Sequence, residues 1–212
     1  MERKEFIRST GLLAASAFFA QSKVFGFQAD TVRVGLIGTN GMGWSNLNAI
    51  LHIPGVECTA LCDVDENVLR NRVEELKKRQ INVKAYVDYK DLLKAKDVDV
   101  VIIATPDHWH CLQMVDAVAA GKDVYVEKPI GNSIHECEIM VAAAKKHKRV
   151  VQVGQWQRSQ QHFKDAMDFV HSGKLGKIRL VKAWAYQGWM KIVPVQPDAC
   201  VPAGAHYDKW LG

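Results

Sequence analysis

Two sets of residues in this sequence have types and spacing that suit chemistry. The first is Gly38-Thr39-Asn40-Gly41-Met42-Gly43, with Asp63 about 20 residues beyond it. A diphosphate can approach main chain closely only where side chains are absent, and it is held by free amides at the positive end of a helix. Gly38 is placed to make the tight turn, and Gly43 to let helix and strand pack closely. Asn40 stands where the pattern G-x-G-x-x-G has its middle glycine, with Gly41 after it. Asparagine tolerates positive backbone dihedrals, so the turn is expected to survive with a different contact to phosphate. Asp63 is placed to accept hydrogen bonds from adenosine ribose hydroxyls, and its charge repels a 2′-phosphate, so NAD is expected rather than NADP. Asp65, which opens the stretch Asp65-Glu66-Asn67-Val68-Leu69, is read as a helix N-cap.

The second set comprises three clusters, each directly after an apolar run: Thr105-Pro106-Asp107-His108-Trp109-His110, Glu127-Lys128-Pro129 and Gln155-Trp156-Gln157-Arg158. A scaffold alone does not need them. A lysine beside a partly buried cofactor loses hydration, which lowers its pKa and lets it exchange a proton near neutral pH. Trp109 and Trp156 offer flat apolar faces, equally suited to walling a sugar site and to packing at its rim. His108 and His110 with Cys111 suggest a metal. They straddle a strand-to-helix junction without a further ligand cluster, so no metal is expected.

These residues need elements that bring them to one place. Val32 to Ile37 is a short apolar run suited to a buried parallel strand, followed by the glycine turn and a helix to Ile53. A second strand, Val56 to Cys62, ends at Asp63, which is the context a dinucleotide fingerprint requires. The alternation continues with a helix to about Gln80, a short strand near Val83 to Tyr86 and a helical turn with Leu92 and Leu93. Then come a strand over 98–104, a helix over 109–120 and the strand Asp123 to Val126. A helix over 133–146 opens with a capping box of Ser133 and Glu136, and a strand over 150–153 and a helix ended by Gly173 follow. Such repeated units predict an α/β fold, a Rossmann-type doubly wound parallel sheet whose ligand sits at the strand C-terminal ends. Gly176 to Tyr186 alternates like the first strand of a further, open sheet.

The composition is that of a globular chain: 212 residues, 48% hydrophobic and 24% charged. Of the net charge of +5, two come from Arg3, Lys4, Arg8 and Lys23 against Glu2 and Glu5. The basic run Lys145 to Arg149 falls at an expected helix C-terminus, where it complements the dipole, and no nucleic-acid partner is expected. The five cysteines show no C-x-x-C spacing, so neither a disulfide framework nor a zinc site is expected. Residues 1–29 read as an export leader, a charged start before the weakly apolar Gly11 to Ala20, too short for a stable membrane span. The order resembles a twin-arginine signal, with Lys4 in place of the second arginine and Ile7 in place of leucine, and implies a periplasmic or cell-envelope location. The alternative is an N-terminal helix on a cytoplasmic enzyme.

The glycine turn, Asp63, Ala104-Thr105-Pro106 with His110, Glu127-Lys128-Pro129 and Val153 to Arg158 together resemble the Gfo/Idh/MocA family of sugar oxidoreductases over about residues 31–212. The resemblance implies that Lys128 is the catalytic lysine, oriented by Glu127 and by Pro129, before which the peptide bond is often cis in that family. It implies that Thr105, Pro106 and His110 line the nicotinamide side, that Gln155 and Arg158 form the far wall, and that a sugar or polyol is the substrate. It also implies three divisions: the leader 1–29, a dinucleotide-binding domain 30–155, and the truncated start of an α+β open-sheet substrate and oligomerisation domain, 156–212. The expected function is NAD-dependent hydride transfer to or from a sugar or polyol, weak or absent in the fragment alone, with a homo-oligomer only for a longer chain. Two alternatives are an NAD-dependent glycoside hydrolase acting by transient oxidation and elimination, and a non-catalytic NAD or sugar binder. The intact Glu127-Lys128-Pro129 favours the dehydrogenase.

Overall fold

A computed structural model describes residues 31–185 and 193–212; the leader-like residues lie outside the described set. Six strands form one sheet: β1 (Val32–Ile37), β2 (Val56–Cys62), β3 (Lys84–Tyr86), β4 (Val100–Ile103), β5 (Asp123–Val126) and β6 (Val151–Val153). Their order is β3-β2-β1-β4-β5-β6, and every pairing is parallel. The direction of winding therefore reverses between β1 and β4, which opens a crevice at their C-terminal ends.

Helices cover both faces. On one lie α1 (Gly41–Ile50) and α2 (Glu66–Lys78), packed through Leu47, Leu69 and Leu76 onto Leu36, Leu61 and Ile102. The other face carries α3 (Tyr89–Leu93), α4 (His110–Ala119) and α5 (Ile134–His147). There Met114, Val118 and Met140 meet Ile37, Ile103 and Val126. Neighbouring residues such as Leu36 and Ile37 serve opposite cores because strand side chains alternate, so a strand buried on both faces reads as an unbroken apolar run.

Local rules set the element ends. Asp65 caps α2 by accepting from the Asn67 and Val68 amides. Ser133 caps α5 by accepting from Glu136 N–H, while the Glu136 carboxylate accepts from Asn132 rather than from Ser133, so the capping box closes one residue early. The helix after the glycine turn ends at Ile50, three residues short of expectation, and α6 (Gln161–His171) ends before Gly173, whose φ is +76°.

The expected strand after Gly176 is not formed. Residues 176–185 have no regular structure; Ile178, Leu180, Val181 and Trp184 are exposed, and Tyr186 lies outside the described residues. Alternation alone does not make a strand, because its backbone groups need a neighbouring ladder and no described residue supplies one. The truncated open sheet is thus absent from the described residues, and the segment after 200 folds back onto the Rossmann sheet, where Ala205 bridges to Asp65.

At the end of the sheet remote from the crevice, Arg33 binds Asp99 through Nε (2.8 Å), Nη2 (2.6 Å) and its main-chain N–H (3.0 Å), pinning the start of β1 to that of β4. The Arg33 hydrogen bond holds the Asp99 carboxyl below its ordinary range, and burial opposes it. A carboxylate depressed in the folded state adds stability that is complete above its unfolded pKa of about 3.9 and is lost as pH falls through the lower folded value. Asp99→Asn is therefore expected to lower the melting temperature at neutral pH and to flatten its acid-side decline, as read by thermal melts from pH 7 down to about 2.

Candidate functional site

The glycine turn is built by steric exclusion. Gly38 has φ +86°, and a Cβ there would lie 2.7 Å from the Ala104 carbonyl group; a Cβ on Gly43 would lie 2.0 Å from the Gly38 oxygen. Both glycines are required by packing. Gly41 differs, since its φ is +45° and a Cβ would meet nothing within 4 Å. Positive φ in the turn thus falls on Gly38 and Gly41, whereas Asn40, to which the sequence gave that tolerance, is extended at φ −103°. Asn40 gives α1 no side-chain cap, and the first turn has no acidic residue, so its amides are left for an anion. Met42 is exposed beside them.

Asp63 is fastened to this turn. Its Oδ2 accepts from Thr39 N–H (2.7 Å) and from the hydroxyl of fully buried Thr39 (2.9 Å), and its Oδ1 accepts from Asp65 N–H (3.0 Å). Arg72 of α2, which sequence reasoning missed, donates to the Thr39 carbonyl (3.2 Å) with its guanidinium 4.5 Å from the centre of the Trp44 ring. Its only sequence signal is its spacing of seven from the Asp65 cap, on the same helix face. Asp63 opens onto a cavity of about 560 Å³ lined also by Gly38, Asn40, Thr105, Pro106 and Trp109. Gly38, Asn40 and a fixed carboxylate in the cavity, with the bare Gly41 and the uncapped amides of α1 directly after Asn40, are the donor and acceptor set that an adenosine diphosphate moiety needs, and the residues fit the cofactor. Cys62 borders the cavity too, but burial pushes its thiol up, with Asp63 and Asp88 adding to the effect, so it is no nucleophile.

The ends of β4 and β5 are tied by His110, the first residue of α4. It is 1% exposed, with Nδ1 2.7 Å from the Pro129 oxygen and Nε2 2.9 Å from the Thr105 oxygen. His110 thus braces two loops from beneath instead of facing the cavity. The Thr105 hydroxyl donates to Gln113 (2.7 Å). Glu127, expected at the cofactor, is buried: it accepts from the Asn46 side chain (2.8 Å) and from Lys128 N–H (3.1 Å), and it packs where a Cβ on Gly154 would be 2.8 Å away. Asn46, on the inward face of α1, went unnoticed because one polar residue in a helix carries no pattern.

Lys128 is exposed, its bond to Pro129 is cis, and its side-chain amine has no hydrogen bond or ion pair among the described residues. The desolvation expected of it beside a bound cofactor is not supplied by the described residues. Gln155, Trp156 and Arg158 are exposed in the turn after β6. Two groups result: Gly38, Asn40, Asp63, Thr105, Pro106 and Trp109 share the cavity, while Lys128 and the residues after β6 lie outside it on neighbouring strand ends. His108 bonds the Trp210 carbonyl (2.9 Å), and no group of three metal-ligating side chains occurs among the described residues.

The oxidoreductase family profile described as an NAD-binding Rossmann fold, that of Gfo/Idh/MocA, matches residues 32–155. The chain belongs to the Gfo/Idh/MocA family. Its Rossmann domain is of the NAD-binding kind. The chain is 30% identical over 170 residues to a glycosyl hydrolase family 109 protein of Shewanella pealeana, covering 69% of this chain and 37% of that one. Among solved structures it resembles myo-inositol 2-dehydrogenase from Lactobacillus plantarum (TM-score 0.63, 28% identity, 69% of this chain and 43% of that one). It also resembles scyllo-inositol dehydrogenase from Lactobacillus casei with bound NAD(H) and scyllo-inositol (TM-score 0.62, 28% identity, 69% and 42%). The chain spans less than half the length of each of these relatives.

The two kinds of glycine separate experimentally. Gly43→Ala forces a backbone collision and is expected to cost about 1–3 kcal/mol or more of stability. Gly41→Ala costs only the left-handed strain, about 1–2 kcal/mol, yet places a methyl where phosphate approaches. Both variants are expected to lose NAD affinity in calorimetric titration, with the larger drop in melting temperature for Gly43→Ala.

Proposed function

We propose that this Gfo/Idh/MocA protein is an NAD-dependent sugar or polyol oxidoreductase in which Lys128 carries the proton at the substrate oxygen. The supporting observation is the setting of Lys128: a free, exposed amine at the end of β5, its main chain gripped by the buried Glu127 carboxylate and by a Pro129 carbonyl fastened to His110. When bound, NAD accepts a hydride from the carbon that bears the substrate hydroxyl. Lys128 Nζ takes the hydroxyl proton in that direction and returns it in reverse. Asn46 fixes Glu127, and His110 keeps the Thr105 and Pro129 loops at constant separation, so the amine has a defined origin. Gln155, Trp156 and Arg158 supply the far wall, and Trp109, bonded through its indole N–H to the Trp210 carbonyl, belongs to the cofactor cavity. The likeness to inositol dehydrogenases supports a polyhydroxylated substrate. We place the protein in the cell envelope on its leader-like residues 1–20.

The similarity to a glycosyl hydrolase family 109 protein favours a second reading, in which transient oxidation acidifies a neighbouring C–H and the aglycone leaves by elimination. The two readings diverge in product. With NAD and a panel of inositols, hexoses and aryl glycosides, the dehydrogenase accumulates NADH, whereas the hydrolase releases phenol with no net NADH. In either case Lys128→Met is expected to lower the rate by about 10²–10⁴-fold while NAD still binds. A turnover rate indifferent to that substitution would remove Lys128 from the chemistry, and NAD binding with no turnover of any of these substrates would favour the non-catalytic reading.

A further inference from the structure

The last residues of the chain complete the cavity around Asp63. Pro202 to Gly212 run along the ends of β2, β3 and β4, and each end holds them. At β2, Ala205 bridges to Asp65, Glu66 N–H donates to the Gly204 carbonyl (2.8 Å) and His206 N–H to the Val64 carbonyl (2.9 Å). After β3, Lys209 Nζ reaches Asp88 at 2.7 Å. After β4, His108 Nε2 and Trp109 Nε1 both meet the Trp210 carbonyl, at 2.9 and 3.0 Å. Within the short helix α7 (Tyr207–Leu211), the Tyr207 and Trp210 rings stack with centroids 5.8 Å apart at 15°.

Tyr207 and Trp210 line the cavity together with Val68, Val87, Pro106 and Asp63. Among its apolar residues the lining carries the fixed carboxylate of Asp63, while that of Asp65 is engaged in capping α2 and that of Asp88 is held by Lys209. A planar heteroaromatic base fills such walls, and the sugar attached to it presents hydroxyls to the carboxylate.

We propose that Pro202–Gly212 is a wall of the adenine subsite, with Tyr207 and Trp210 as base-contacting residues and Lys209 as the tether that holds them in place. This rests on the cofactor being NAD, and it adds residues outside the Rossmann strand-helix units to the cofactor's grip. The main-chain contacts of the wall run to Val64, Asp65 and Glu66, on the Asp63 side of a cavity that Thr105 and Pro106 also line, and Lys128 and the residues after β6 lie outside it.

Calorimetric titration of the 212-residue chain with NAD, AMP and nicotinamide mononucleotide tests it. Trp210→Ala is expected to weaken AMP and NAD by about tenfold each and to leave nicotinamide mononucleotide unchanged. Lys209→Met, which keeps the rings and removes the tether, is expected to weaken the same two ligands by a smaller factor. Trp210 is half-exposed, so the substitution should leave the melting temperature of the sheet in place. A Trp210→Ala chain that melts normally and binds AMP as tightly as the unaltered chain overturns the wall. Equal weakening of all three ligands overturns it as well. An unaltered chain that binds neither NAD nor AMP overturns the cofactor reading, and the wall with it.

Discussion

The hydrogen bonds from Thr39 to Asp63 join the two halves of the nucleotide site into one object. They exist because β1 and β2 run parallel in a register that pairs Ile37 with Cys62, after which the Gly38 amide donates to the Cys62 carbonyl (2.9 Å). One residue further on, the ladder is continued by a side chain: the Asp63 carboxylate takes the Thr39 amide. Strand pairing therefore sets where the turn sits, and the turn fixes the carboxylate. Gly38 and Gly43 allow this arrangement sterically, and Arg72 closes it from outside by taking the Thr39 carbonyl.

The catalytic half is organised by a different device, buried polar side chains that hold main chain. Glu127 and His110 are both nearly inaccessible, and both have their polar atoms committed to partners from other elements. Buried polar groups are tolerated when every donor and acceptor is paired, and once paired they specify a single arrangement of the loops they join. The exposed member of the motif is Lys128, the group we propose for proton transfer. Rigid support under a free amine is the arrangement proton transfer needs, since the lysine must reach a substrate oxygen from a fixed origin.

Much of this was legible in the residues. Apolar runs followed by glycine or acid located β1, β2 and the crevice, and local capping rules located Asp65 and Ser133. Each of these signals is short-range, carried by residues within a few positions of one another. What could not be read depends on contacts between distant positions: Asn46 with Glu127, Arg72 with Thr39, His110 with Pro129, and the return of residues 202–212 to the strand ends. None of these has a period or a spacing. Gly176 to Ala185 shows the converse, a strand-like alternation without a strand, because pairing requires a neighbour that no local pattern can supply. Asn40 and Gly41 mark the resolution of such reading: the turn was located, but positive φ falls on Gly38 and Gly41 and not on Asn40.

The carboxylate fixed at the end of β2 favours a dinucleotide with free ribose hydroxyls. Parallel calorimetric titrations of the chain with NAD and with NADP test it most directly. NAD is expected to bind tighter by at least about tenfold, the difference arising because a negative 2′-phosphate would meet Asp63. Equal affinities, or tighter binding of NADP, would contradict it.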